Sequence, residues 1–135
     1  MSYFGKISTR EHYGLRLAIW LAQTYSKKPI TLSQIGQHER ISVKYLEQLI
    51  VPFRRARWVK SLRGRSGGYQ MIKNPTRLTL LDVMNLISDK ARVVDCLTSA
   101  CPLENCCPSK TAWQKVQTAL DDALQKIKLS QLIKP

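Results

Sequence analysis

The segment from Ser42 to Ile72 constrains the fold more than any other part of the chain. Ser42 is placed to cap a helix in which Val43, Leu46, Leu49/Ile50 and Phe53 recur on one face, with polar side chains opposite. Pro52 lies inside that pattern. Lacking an amide hydrogen and crowding the preceding turn, it is expected to bend the helix or split off its last turn. Trp58-Val-Lys-Ser-Leu-Arg63 then alternates as a strand, Gly64-Arg-Ser-Gly-Gly68 reads as a turn, and Tyr69-Gln-Met-Ile72 as a second strand. Ahead of this unit, Thr31 or Ser33 can cap a short helix through Gln37 with Leu32 and Ile35 as core contacts, followed by a turn around Glu39-Arg-Ile41. Two short helices joined by a tight turn and followed by a hairpin with a basic tip make a winged helix-turn-helix. The expected fold class is mainly α with a small β-hairpin wing (α+β). The glycine-rich turn also resembles a phosphate cradle, but no helix follows it and no Lys-Ser/Thr ends it, which argues against a nucleotide site.

The flanks are helical. Arg10 to Tyr25 is apolar on more than one face (Tyr13, Leu17, Leu21 and Leu15, Ile19, Ala22), as in a largely buried helix, and Lys27-Lys28-Pro29 is expected to end it. Thr79 to Asp89 carries Leu80, Val83/Met84 and Ile87, with Thr79 and Asp82 at capping-box spacing. Ser109 to Lys128 is the longest helix, and Trp113, Val116, Leu120, Ala123/Leu124 and Ile127 form a seam along it. That seam extends beyond what the N-terminal core needs, so a homodimer interface is favoured over packing within one chain; winged helices usually read two half-sites. The domain reading is a DNA-binding winged helix-turn-helix over 1–75. A linker helix, a cysteine-rich loop (about 92–108) and a dimerisation helix then occupy 76–135.

Charge points to the partner. The chain carries 22 Lys+Arg against 9 Asp+Glu, and residues 1–75 hold 14 of those bases with only 3 acids. From Arg40 to Arg65 there are eight bases against the single acid Glu47. A solvated face is the bland account; clustering of this density favours double-stranded DNA over a membrane surface. No apolar run approaches the ~18–20 residues of a bilayer span. The N-terminal stretch lacks the features of an export signal, so a cytoplasmic, nucleoid-associated location is expected. With no Ser/His/Asp set and no paired carboxylates in a pocket pattern, neither an enzyme nor a small-molecule substrate is expected.

Chemistry nominates the DNA-reading side chains. Ser42, Lys44, Tyr45 and Gln48 lie near the start of the second helix of the motif, away from its apolar face; hydroxyls and Lys reach phosphates, and Gln can pair with adenine. Glu47 can accept from cytosine N4. Arg63 at the wing tip suits a narrow A·T-rich minor groove, and Arg65 is a second, weaker candidate.

All four cysteines fall within twelve residues, Cys96-Leu-Thr-Ser-Ala-Cys101-Pro-Leu-Glu-Asn-Cys106-Cys107. Disulfide scaffolds spread their cysteines, so this crowding reads as metal ligands or redox thiols. Thiolates suit iron–sulfur clusters or zinc, but the spacing is neither that of a zinc ribbon nor of a ferredoxin.

Ile41-Ser-Val-Lys-Tyr-Leu-Glu-Gln-Leu49, Val59-Lys-Ser-Leu-Arg-Gly64 and Gly67-Gly-Tyr69, followed by cysteines before a tryptophan-bearing helix, closely resemble the IscR/NsrR/CymR family of bacterial winged-helix regulators. The resemblance covers nearly the whole chain. It implies a homodimeric DNA-binding repressor or activator with crossed long helices, often carrying an iron–sulfur cluster on the cysteine loop. It also makes Glu47 a specificity residue, and marks Arg65 as a departure, since the family often has proline nearby. By the same resemblance Cys96, Cys101 and Cys107 match the three cysteine ligands, leaving Cys106 as an additional thiol. Some relatives place a histidine ligand where Lys110 stands here, and a protonated amine cannot coordinate. Others use an aspartate from the partner's first helix, at the position of His12, whose neutral imidazole can bind iron or zinc. Two functions stay open. One is a regulator sensing iron, oxygen, nitric oxide or redox state through a cluster, two-iron favoured over four-iron, which purification can strip. The other is a cluster-free regulator whose cysteines act as thiol switches or hold zinc.

Overall fold

Four helices start on a hydroxyl side chain that accepts an amide hydrogen three residues on. These are α1 (Thr9–Ala22) from Ser8, α2 (Leu32–Glu39) from Thr31, α3 (Val43–Arg55) from Ser42 and α4 (Leu80–Ile87) from Thr79. In α1, α2 and α4 the side chains of Glu11, Gln34 and Asp82 return a bond to the cap backbone, completing capping boxes. The computed structural model describes residues 7–88, 93, 97, 102 and 107–134. Its fifth helix, α5 (Pro108–Gln125), opens at Cys107 with proline in its first turn, where the missing amide hydrogen costs nothing.

The ends of α2 and α3 are less orthodox. Ile41 N–H bonds back to Gly36 O (3.1 Å) and Trp58 N–H to Phe53 O (2.9 Å), the long closing bond of a Schellman turn. The left-handed residue each turn requires is an arginine, Arg40 (φ 56°) and Arg57 (φ 58°), where glycine is usual. A side chain in that region costs on the order of 1 kcal/mol. Gly36 permits the first turn: a Cβ there would lie 2.8 Å from Ile41 O.

Several element boundaries differ from expectation: α5 ends at Gln125 rather than Lys128, and the strands of the wing are shifted or shortened by a residue at their ends. α1 stops at Ala22, because the buried Thr24 turns its hydroxyl to Leu21 O (2.6 Å) and accepts from Met71 N–H (2.8 Å), pinning the chain to the wing. α2 runs two residues past Gln37 to Glu39. α3 continues through Pro52 to Arg55 without splitting; the missing amide hydrogen withdraws one bond, from the carbonyl of the exposed Gln48.

The wing pairs β1 (Val59–Leu62) with β2 (Gly68–Met71) antiparallel, Val59 opposite Met71 and Leu62 opposite Gly68, and Ile30 bridges to Tyr69 on the other side. α1 packs on α3 and α4, and α2 on α3. The shared core holds Leu17, Leu21, Ile35, Leu46, Leu49, Ile50, Phe53, Met71, Val83, Ile87 and Leu129. Leu129 belongs to a closing turn, Leu129–Leu132, that returns after α5; its N–H reaches Leu78 O and Leu80 N–H reaches Ile127 O, both at 2.8 Å. At the end of α2 the buried Glu39 carboxylate accepts from Trp20 Nε1–H (2.6 Å) and pairs with Arg16, locking the helix-turn-helix to α1. Among the described residues no helix is long and apolar enough to cross a membrane.

Candidate nucleic-acid interface

α3 divides cleanly between a core face and an outer face. Leu46, Leu49, Ile50 and Phe53 are buried, while Lys44, Glu47 and Gln48 are exposed. Ser42, also exposed, spends its oxygen lone pair on Tyr45 N–H (3.2 Å) and keeps its own hydrogen to donate. Tyr45 is half-buried, its ring edge-on to Tyr13 at 6.2 Å, so it has a packing role as well as a reachable polar tip. Val43 corrects the sequence reading: placed there on the core face, it is 40% exposed at the first helical position, at the edge of the core beside Gly36.

The wing tip carries Arg63 and Arg65, both exposed on either side of Gly64. Gly64 (φ 101°) and Gly68 (φ 132°) take the left-handed conformations of the turn, and Ile30 O leaves no room for a Cβ at Gly68. Apart from the half-buried Tyr45, the nominated residues of α3 and its cap and the tip arginines thus lie on exposed positions of two adjoining elements. Arg40, in the turn that leads into α3, is a cation the nomination missed; arginine at a glycine-type position leaves no composition signal.

Of the nominated metal ligands, Cys96 and Cys101 lie outside the described residues, as does Cys106. Cys107 sits half-buried at the start of α5, its Sγ 2.9 Å from Ser109 Oγ. That hydroxyl, with the Lys110 backbone N–H, holds its thiol below the ordinary cysteine range. His12 is exposed on α1, edge-on to Tyr13 at 5.1 Å. Among the described residues no three His, Cys, Asp or Glu side chains gather as a metal site.

The chain entering the cysteine loop is tied down at two points. At its stem, Arg10 Nε–H donates to Ile87 O (2.7 Å) and Ser88 Oγ–H to Glu11 Oε1 (2.8 Å), so the first turn of α1 grips the end of α4. Further on, Val93 N–H donates to Oε1 of the buried Gln117 on α5 (2.7 Å), whose amide reaches Asp121 Oδ1 (2.8 Å).

Nearly the whole chain has known counterparts. The model of a family described as Rrf2, iron-dependent transcriptional regulator, matches residues 7–135. Protein rrf2 of Nitratidesulfovibrio vulgaris is 31% identical over 131 residues, 96% of this chain and 87% of that one. The structure of CymR, the global cysteine regulator of B. subtilis, superposes with a TM-score of 0.79 at 34% identity, covering 96% of each chain. That of T. potens IscR does so with a TM-score of 0.76 at 31% identity, over 93% of this chain and 84% of that one. A winged helix with a polar outer face on α3, matched over this length, identifies the chain as a member of the Rrf2 family of transcriptional regulators.

Proposed function

We propose that this regulator is a homodimer that binds a double-stranded DNA operator, with residues 1–75 reading DNA and 76–135 joining the subunits and sensing. The observation that carries the reading is the exposed polar face of α3 beside an exposed, doubly cationic wing tip. Gln48 pairs with adenine, Glu47 selects cytosine, and Lys44, Ser42 and Tyr45 hold phosphates. Val43 offers a methyl surface to thymine, and Arg63, with Arg65 behind it, enters the minor groove. The test is binding against salt. Neutralising on the order of 6–10 phosphates makes affinity fall by about 10³–10⁵ between low and physiological salt; a nearly flat response would reject DNA as the partner.

The sensing element of the proposal is an iron–sulfur cluster on Cys96, Cys101 and Cys107, with His12 supplied by the partner subunit, acting in the cytoplasm on the nucleoid. The family's description as iron-dependent and the likeness to an IscR support it. So does the lowered pKa of Cys107, since the thiolate is the ligand form. When bound, such a group supplies a centre sensitive to oxidants, nitric oxide or iron supply. The remaining steps belong to this chain. Arg10 and Glu11 hold the loop stem, His12 stands next to them, and α1 packs directly on α3, so a change at the loop bears on the recognition helix through one rigid element. The second reading, thiols acting without a cluster, is favoured by the same lowering of the Cys107 thiol pKa and by the likeness to a cysteine regulator. Anaerobic purification separates the two. Stoichiometric iron and sulfide with visible charge-transfer absorbance, lost in Cys96→Ala, Cys101→Ala and Cys107→Ala but kept in Cys106→Ala, supports the cluster. Colourless, iron-free protein whose DNA affinity still follows thiol oxidation supports the switch.

A further inference from the structure

A second cationic surface lies at the base of the wing, away from its tip. No carboxylate occurs between Glu47 and Asp82, a stretch with eight bases. Arg63 and Arg65 occupy the tip, Lys60 stands on β1, and Arg54 and Arg55 stand in the last turn of α3, where they complement the negative helix end. Arg57, Lys73 and Arg77 have no such account: all three are exposed, and none is ion-paired among the described residues. Arg57 is held at φ 58°, so a long cation persists where glycine would be unstrained, which points to use of its side chain. On the other side of Trp58, Lys73 N–H shares the Trp58 carbonyl with Ile72, and Lys73 Nζ stands 5.8 Å from the Trp58 ring centroid. Lys73 and Arg77 line an open groove of about 560 Å³ together with Tyr25, Asn74, Leu78 and Ile72, the last 47% exposed.

The groove does not suit a nucleic-acid backbone. Strands of this length, at ~3.3 Å per residue, set the wing base on the order of 13 Å behind the tip, so a tip seated in a minor groove leaves it clear of the duplex. Its lining also mixes cations with apolar surface at Ile72, Tyr25 and Leu78, which a phosphate chain would leave unused. We infer that the wing base, lined by Lys73 and Arg77 and with Arg57 one residue from the Trp58 ring that Lys73 approaches, is a docking site for an acidic peptide segment of a partner protein. Carboxylates of that segment meet the three cations and an apolar side chain covers Ile72, leaving the DNA-reading surface free. Charge complementarity of this kind governs specificity and encounter rate and weakens with salt.

The experiment uses the full-length protein and two labelled dodecapeptides, one of Asp and Glu with two central leucines and one with serines in their place. The leucine peptide is expected to bind at least ~5-fold tighter than the serine peptide. The pair Lys73→Glu and Arg77→Glu should weaken it about tenfold or more. Arg57→Gly, which relieves the backbone and so does not act by misfolding, should weaken it several-fold. At physiological salt, where exposed charges more than a Debye length from the duplex are largely screened, DNA affinity should change by less than about threefold in all variants, and oligomeric state should not change. Peptide affinity indifferent to these substitutions would overturn the inference. A parallel loss of DNA affinity would assign the surface to the duplex, and dissociation of the wild-type oligomer in the double variant would assign it to assembly. Because DNA binding is measured separately, failure here leaves the operator reading standing.

Discussion

α3 and α5 both carry an apolar stripe at helical spacing, and the protein treats them differently. In α3 the residues Leu46, Leu49, Ile50 and Phe53 are all at most 2% exposed. In α5, an 18-residue helix, Gln117 is the one buried residue, while Trp113, Val116 and Leu124 are half-buried and Leu120 remains 44% exposed. The first stripe meets its match within the chain: α1, α2 and the wing close over it. The second is anchored at its far end by Leu129 in the core, and of the described elements α4 packs along it without burying the stripe. An amphipathic pattern states that a face is to be buried, not by what. For α5 the proposed cover is the same helix of a second copy.

That contrast can be broken or sharpened by substitution. The largest effect is expected in the closed stripe: Phe53→Ala should cost about 3–5 kcal/mol in a denaturant titration. A loss below ~1 kcal/mol would mean that the helix-turn-helix core is not the stabilising unit. Next comes the open stripe. Replacing Leu120 and Leu124 by Glu should convert dimers to monomers in sedimentation, by placing charges in an apolar interface, while helical circular dichroism persists. A double variant that stays dimeric would locate the interface elsewhere. On the outer face of α3 and at the wing, Gln48→Ala and Arg63→Ala should each weaken operator binding by about 1–3 kcal/mol without changing the melting temperature; unchanged affinity would remove that residue from the interface. The smallest effect concerns the left-handed turn before α3. Arg40→Gly should raise stability by up to ~1 kcal/mol yet lower the salt slope of DNA binding by roughly 1. A variant that gains stability and keeps the wild-type slope would show that Arg40 touches no phosphate.

Helix starts were legible because they rest on local chemistry. Thr31, Ser42 and Thr79 cap as their hydroxyls suggest, and the wing follows from Gly64, Gly67 and Gly68. Helix ends were less so. The turns after α2 and α3 use Arg40 and Arg57 where a glycine would have announced them, and the early end of α1 depends on Thr24 meeting Met71, 47 residues away. Pro52 allows either a bend or a split in the sequence reading, and burial of Phe53 on one side with exposure of Gln48 on the other lets α3 run on unsplit. The candidate site divides in the same way. Lys44, Glu47, Gln48, Arg63 and Arg65 could be picked out from charge and spacing alone, whereas the exposure of Val43 and the packing of Tyr45 on Tyr13 required the fold.

By itself, then, the chain determined what short-range rules can encode: where helices nucleate, which faces are apolar, where a hairpin reverses, and a winged helix-turn-helix dense in positive charge. Only the tertiary structure decided relations between distant residues. It brought Glu39 to Trp20 and Arg16, clamped the loop stem with Arg10 and Glu11, and seated Leu129 in the N-terminal core. It also left the groove at Lys73 and Arg77 open at the base of the wing. The physical reason is that caps and turns are satisfied by partners three or four residues away, whereas a buried carboxylate or an apolar stripe is satisfied by whatever the packed chain brings to it.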